Sequence, residues 1–218
     1  MTFLVDNQDV LSYNIYIMLE KRGIKLEDKI ILTDCDGVLL DWESAFHKWM
    51  ESHGHVKVAH GMYDISQQYG FEKAQGKQLI KIFNESAWMG YLKAYSDARS
   101  GVAKLYEHGY RFHCITSLSL DKKAIRLRKY NLENVFGKGT FKEVLCLDTG
   151  ADKDEALAEY KGSDAFWIED KLENAECGAK LGLKSILLKH DHNKDEVLMD
   201  GIKMAGNWAD IVDMIVKS

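Results

Sequence analysis

The sequence predicts an α/β protein: a doubly wound, Rossmann-like parallel sheet with a small helical segment inserted after the first strand. Three observations carry that reading. Short apolar runs recur and end abruptly in polar or acidic residues, as Ile30-Ile31-Leu32 does before Thr33-Asp34-Cys35-Asp36 and Phe166-Trp167-Ile168 does before Glu169-Asp170. Helix-period segments stopped by glycine alternate with these runs, the rhythm that βαβ units require. From Trp42 to Tyr95, by contrast, about 55 residues hold no strand-like run and read as mostly helical.

Size and composition narrow the classes. A chain of 218 residues can bury a sizeable core and fits one α/β domain with an inserted subdomain, which we place at residues 42–92, leaving 1–41 and 93–218 as the α/β core. With 46% hydrophobic and 29% charged residues the composition is that of a globular protein, and a formal charge of -5 argues against binding nucleic acid polymers or anionic membranes. The start of the chain has no basic region followed by a cleavable apolar segment, and no run approaches the ~20 apolar residues of a membrane span, so a cytoplasmic protein is expected. Cys35, Cys114, Cys146 and Cys177 show no C-x-x-C spacing and read as reduced, mostly buried thiols. Proline is absent where average usage would give roughly eleven, so turns must rest on Gly, Asn and Asp.

Taken in order, Val10, Leu11, Ile15, Met18 and Leu19 repeat at helical spacing from Gln8 to Arg22, with Gly23 as a stop. The first strand follows and delivers Asp34 and Asp36 at its tip. Trp42, Phe46, Trp49 and Met50 then share one helical face, a stripe that is ordinarily core. Val102, Leu105 and Tyr106 mark a helix ended by Gly109, and Tyr110–Ile115 is a strand closed by Thr116-Ser117. In the basic helix Asp121–Tyr130, Lys122, Lys123, Arg126, Arg128 and Lys129 read as a solvated face. Strand 143–147 leads to a helix opened by Lys153, strand 165–168 leads to Glu169-Asp170, and Leu183–Leu188 supplies the last expected parallel strand.

Two carboxylates two residues apart on an extended chain project from the same side and repel unless a cation or a proton lies between them. As structure alone the pair is expensive, so Asp34 and Asp36 read as a site at the carboxyl end of a central strand, where open parallel sheets bind ligands. His53, His55, His60, His190 and His192 have no tetrahedral zinc spacing and read as solvated loop residues. Neither a Walker-type phosphate loop nor a dinucleotide G-x-G-x-x-G turn occurs.

The run Asp34-Cys35-Asp36-Gly37-Val38-Leu39-Leu40-Asp41 resembles the first motif, D-x-D-G-[VT]-[LI], of the haloacid dehalogenase-like (HAD) superfamily. The resemblance extends over about residues 28–190, through Thr116-Ser117, Lys153 and Glu169-Asp170 in the family's order. It implies that Asp34 is a nucleophile and Asp36 a general acid/base. Mg2+ would be held by Asp34, the Asp36 carbonyl and Asp170, with Glu169 and Asn174 supporting it from behind. Thr116, or its neighbour Ser117, would bind phosphoryl oxygens, Lys153 would neutralise phosphate and nucleophile, and the insertion would be a cap. Asp36 separates phosphate transfer from dehalogenation, since dehalogenases of the superfamily lack that acid.

Within the superfamily, the aromatic Trp42 after the first motif, Thr116-Ser117 and Asn207-Trp208-Ala209-Asp210-Ile211 look like the 5'(3')-deoxyribonucleotidases. That likeness implies a (deoxy)nucleoside monophosphate as substrate, with Trp42 and Trp88 around the base. Two departures stand against it: Leu118 replaces a proline, and the acidic pair is Glu-Asp instead of Asp-Asp. A sugar-phosphate phosphatase or phosphomutase, in which the Glu-Asp pair also occurs, is the alternative. A catalytically silent protein that binds a phosphorylated ligand is a third reading.

Overall fold

The protein is described by a computed structural model covering residues 29–218. The helix expected over Gln8–Arg22 lies outside the described residues. Among the described residues six strands, β1 (Lys29–Thr33), β2 (Tyr110–Ser117), β3 (Phe141–Leu147), β4 (Phe166–Glu169), β5 (Lys184–Leu188) and β6 (Ile202–Ala205), form one sheet in the order β3-β2-β1-β4-β5-β6. All five pairings are parallel. The α/β doubly wound expectation holds.

That strand order puts β1 in the middle and reverses the winding between β1 and β4, the topological switch point at which such sheets open a crevice. Central strands must be apolar on both faces, and these are. Ile31 and Leu32 of β1, Cys114 and Ile115 of β2, and Trp167 and Ile168 of β4 are all at most 1% exposed although neighbours point to opposite sides. Each pair contributes to separate hydrophobic clusters on the two sheet faces. Helices α4 (Ser96–Glu107), α5 (Lys122–Phe136), α6 (Asp154–Ala158), α7 (Leu172–Lys180) and α8 (Trp208–Val216) cover the sheet.

Between β1 and α4 the chain forms α1 (Trp42–Ser52), α2 (Ile65–Tyr69), α3 (Lys73–Asn84) and a 3-10 turn at Ala87–Gly90. Asp41 caps α1 by accepting from the Ser44 N–H at 3.1 Å. Phe46, Trp49 and Met50 are buried as their helical stripe requires, with Phe46 packed on Phe83 of α3 and Tyr69 of α2 and Trp49 on Phe83. All four cysteines are free, three of them buried, and among the described residues eleven glycines take positive φ, so turns there do rest on glycine.

One element departs from expectation. The sheet does not end at β5: Ile202-Lys203-Met204-Ala205 adds β6 in parallel register, Ser185 opposite Ile202 and Leu188 opposite Ala205. Four residues with a lysine among them carry too little apolar pattern to announce an edge strand. Beyond it, the Asn207 side chain accepts from the Asp210 N–H at 3.0 Å and starts α8. Trp208, 1% exposed, then donates its indole N–H to the Val38 carbonyl at 2.9 Å. This ties the last helix to the loop that follows β1. The indole lies flush on α4, where a Cβ at Gly101 would stand 2.7 Å from Trp208 Cε3. Gly101→Ala should therefore lower stability by about 1–3 kcal/mol in a denaturant titration, overriding the ~1 kcal/mol helix preference for Ala. A more stable variant would show that α4 and α8 are not held this closely.

Candidate active site

The loops leaving β1 and β4 bring the predicted acids together at the switch point. Asp34 extends the sheet by one more bond, its N–H donating to the Ile168 carbonyl at 2.8 Å, so its position is set by backbone pairing. Asp34, Glu169 and Asp170 are all buried and offer carboxylate oxygens within 4.8 Å of one another. Lys153, 2% exposed just before α6, brings Nζ to 2.8 Å from Asp34 Oδ1 and 3.3 Å from Glu169 Oε2. The first contact is an ion pair without the direction of a hydrogen bond, because Asp34 Oδ1 has no hydrogen-bond partner among the described residues.

The turn after β1 is shaped by contact. Gly37 has φ +84, and a Cβ there would fall 2.1 Å from Asp170 Oδ2, so backbone and carboxylate occupy space that only glycine leaves free. The Gly37 carbonyl accepts from His190 Nε2 at 2.7 Å. The Asp170 carbonyl accepts from Asn193 Nδ2 at 2.7 Å and His192 Nε2 at 3.1 Å. His190 and His192 stack at 5.5 Å, and Tyr63 of the insertion meets His192 edge-on at 5.1 Å. The expectation of solvated loop histidines thus fails for these two. The loop after β5 folds back onto the site, a tertiary event with no local sequence signal.

Asp36 has a partner on α5, a helix whose charges are expected from sequence to face solvent. Lys122, Lys123, Arg126 and Lys129 of α5 are exposed as expected, but Arg128 is 0% exposed. Its two terminal nitrogens grip Asp36, Nη1 to Oδ1 at 2.6 Å and Nη2 to Oδ2 at 2.8 Å. A signal was present: Arg128 lies four residues from Ala124 and from Leu132, both fully buried, so it sits on the apolar face of the helix. Asn174, expected beside Glu169 behind the site, donates to Glu169 Oε1. Glu169 thereby holds both Asn174 and Lys153.

The other proposed binding residues divide. Thr116 is 1% exposed near the end of β2, the strand beside β1. The Ser117 hydroxyl is committed to the Ala151 carbonyl at 2.7 Å. Trp42 and Trp88 meet around Phe83, at 5.5 and 6.1 Å between ring centroids. Trp42 stacks one face on Phe46 at 4.7 Å and donates its N–H to Asn84 at 2.9 Å, while Trp88 is 39% exposed.

Electrostatics follow from this crowding. Burial, then Asp34, pushes the Asp170 carboxyl up to about 8. Burial and Asp34 raise Glu169 well above the carboxylate range against the pull of Lys153. Burial also raises Asp36, opposed by Arg128. For Lys153 burial works against the charge, yet Asp34 and Glu169 outweigh it and raise its pKa. Four carboxylates face two cations, Lys153 and Arg128, which leaves a formal excess of two negative charges. An all-oxygen donor set with that charge fits a hard divalent cation such as Mg2+ and does not fit a thiolate- or imidazole-seeking metal. Asp34 and Asp170 are the side chains that would hold it, beside the Asp36 carbonyl expected from the sequence.

In fold the chain is similar to solved structures that include a haloacid dehalogenase-like protein. CbbY from Rhodobacter sphaeroides, solved in complex with phosphate, superposes with a TM-score of 0.58 at 17% identity, over 85% of this chain and 96% of that one. A haloacid dehalogenase-like family hydrolase from Streptococcus pneumoniae gives 0.58 at 13% identity, over 86% and 98%. In sequence, the chain is 30% identical over 139 residues to an uncharacterized 32.4 kDa protein of the Gp30-rIII intergenic region of Enterobacteria phage T4. That match takes in 60% of this chain and spans about half, 49%, of the phage protein. No protein-family profile matches the chain. Among the described residues, no helix is long and apolar enough to cross a membrane.

Proposed function

We propose that the protein is a Mg2+-dependent phosphomonoester hydrolase that works through an aspartyl phosphate on Asp34. The observation that carries this reading is the contact of Asp34 with Lys153 at 2.8 Å beside Glu169 and Asp170, at the switch point of a HAD-like sheet. Asp34 supplies an anionic oxygen to phosphorus, and Lys153 lowers the repulsion between that anion and the phosphate. Asp36 exchanges protons with the leaving group and then with water. Thr116 donates to the phosphoryl oxygens, Ser117 being occupied elsewhere. Bound Mg2+ supplies positive charge to the phosphoryl oxygens and offsets the excess of carboxylates. Residues 42–92 act as a cap that excludes water, with Tyr63 reaching the core side of the site.

The substrate class we assign is a small phosphorylated metabolite, and a sugar phosphate in the first instance. Support comes from structural neighbours described with such compounds: a CbbY variant in complex with xylulose-(1,5)bisphosphate, and D,D-heptose 1,7-bisphosphate phosphatase from Burkholderia thailandensis. A nucleoside monophosphate is the second reading, favoured by the Trp42 and Trp88 rings, since stacking on an aromatic is worth about 1–3 kcal/mol per base. The test is phosphate release with Mg2+ from p-nitrophenyl phosphate, hexose phosphates, dUMP and dTMP side by side. We expect Mg2+-dependent turnover of all, with kcat/KM at least about tenfold higher for a sugar phosphate, the equivalent of ~1.4 kcal/mol. The reverse order would make the protein a nucleotidase. No release from any compound would leave only the silent, ligand-binding reading.

A further inference from the structure

Arg128 is the one arginine of α5 that the fold withdraws from water, and stability does not account for it. A fully buried guanidinium loses its hydration and needs several acceptors in return. Arg128 has a single carboxylate, Asp36, and two sulfurs, Cys35 Sγ at 2.7 Å and Met89 Sδ at 3.5 Å, which are weak acceptors. Its Nε has no hydrogen-bond partner among the described residues. A well-packed apolar residue facing a neutral side chain would serve the core at least as well. What the arginine supplies and such a residue cannot is geometry. The planar fork fixes both oxygens of Asp36 and hence the plane of its carboxylate. The grip comes from inside: Arg128 is fully buried, while the Asp36 side chain keeps 23% of its surface exposed. Each carboxylate oxygen has a second lone pair that the fork leaves unused.

We propose that Arg128 is a positioning residue that holds the Asp36 carboxylate in the orientation needed to take a proton from the attacking water. The inference rests on the phosphatase reading above. In the step concerned, the water oxygen bonds to phosphorus and the bond from phosphorus to the Asp34 oxygen breaks, its electron pair returning to Asp34. The water proton passes to Asp36, and Arg128 neither gains nor loses one. The first step, formation of the aspartyl phosphate, needs no proton when the leaving group is p-nitrophenolate. Loss of Arg128 should therefore act on the second step alone with that substrate.

The experiment is acid-quench trapping of phosphoenzyme alongside steady-state release from p-nitrophenyl phosphate in the full-length protein with Mg2+. Four proteins are compared in two backgrounds: Arg128→Met and Arg128→Lys, each alone and combined with Asp36→Asn, against wild type and Asp36→Asn. Arg128→Lys keeps the charge without the fork and decides the matter should Arg128→Met fail to fold. We expect steady-state turnover to fall about 100-fold, the lower range for a general base, while phosphoenzyme accumulates toward one per chain. In the Asp36→Asn background the same Arg128 changes should have no further effect. Lower turnover without phosphoenzyme accumulation, or an equal fall in both backgrounds, would overturn the positioning role while leaving the phosphatase reading intact. Wild type that neither releases phosphate nor forms phosphoenzyme would overturn both.

Discussion

Asp34→Asn leaves a folded protein whose phosphate release drops by about 10⁴-fold or more, the scale seen when a covalent nucleophile is removed. Two independent measurements should separate chemistry from structure. Asparagine keeps the shape of the side chain and the Asp34 N–H bond to Ile168, so the sheet register is untouched. The change removes one of three buried carboxylates whose oxygens lie within 4.8 Å, and Lys153 retains Glu169 at 3.3 Å as a partner. Relief of that repulsion should make the metal-free variant at least as stable as wild type. A gain of 1 kcal/mol would appear as roughly 2–4 °C in Tm for a chain of this size. Activity lost together with a marked fall in Tm would instead mean that Asp34 serves the fold, and a folded, active variant would refute its role as nucleophile.

That pairing of strain and function explains why part of the site could be read without coordinates. β1 and β4 are buried on both faces, so their apolar runs are unbroken and an acid at the end of each stands out against them. The packed face of α1 was equally legible, because Phe46, Trp49 and Met50 repeat at helical spacing and are buried accordingly. What escaped notice depends on the chain meeting itself. Arg128 looked like one charge among five on a basic helix, and only the burial of Ala124 and Leu132 on the same face marks it as different. His190 and His192 reach Gly37 and Asp170 from a loop more than 150 and about 20 residues away respectively, a relation with no local period. β6 was missed because a four-residue edge strand containing Lys203 has little apolar signal. Arg128, His190 and His192 lie where sequence-local rules are overridden by the needs of a charged, buried site.

The same excess of buried carboxylate predicts how magnesium and pH should act on stability. In the metal-free protein burial and Asp34 raise Asp170 to about 8, whereas in the unfolded chain an aspartate titrates near 4. Between these values the folded protein keeps a proton that the unfolded chain has released. The stability this contributes is fully present below about pH 4 and is lost as pH rises through about 8. One pH unit in that window is worth at most about 1.4 kcal/mol, and less here because neighbouring carboxylates titrate together. A bound cation requires the ionised carboxylate, so it competes with that proton and its affinity increases with pH. Since a ligand stabilises by RT ln(1 + [L]/Kd), the rise in Tm on adding a fixed concentration of Mg2+ should be larger at pH 8 than at pH 6. Asp170→Asn should flatten the pH dependence of the metal-free protein over this window and shrink the magnesium increment at both values. A magnesium increment that is equal at the two pH values, or greater at pH 6, would mean that the cation does not displace a proton from this cluster.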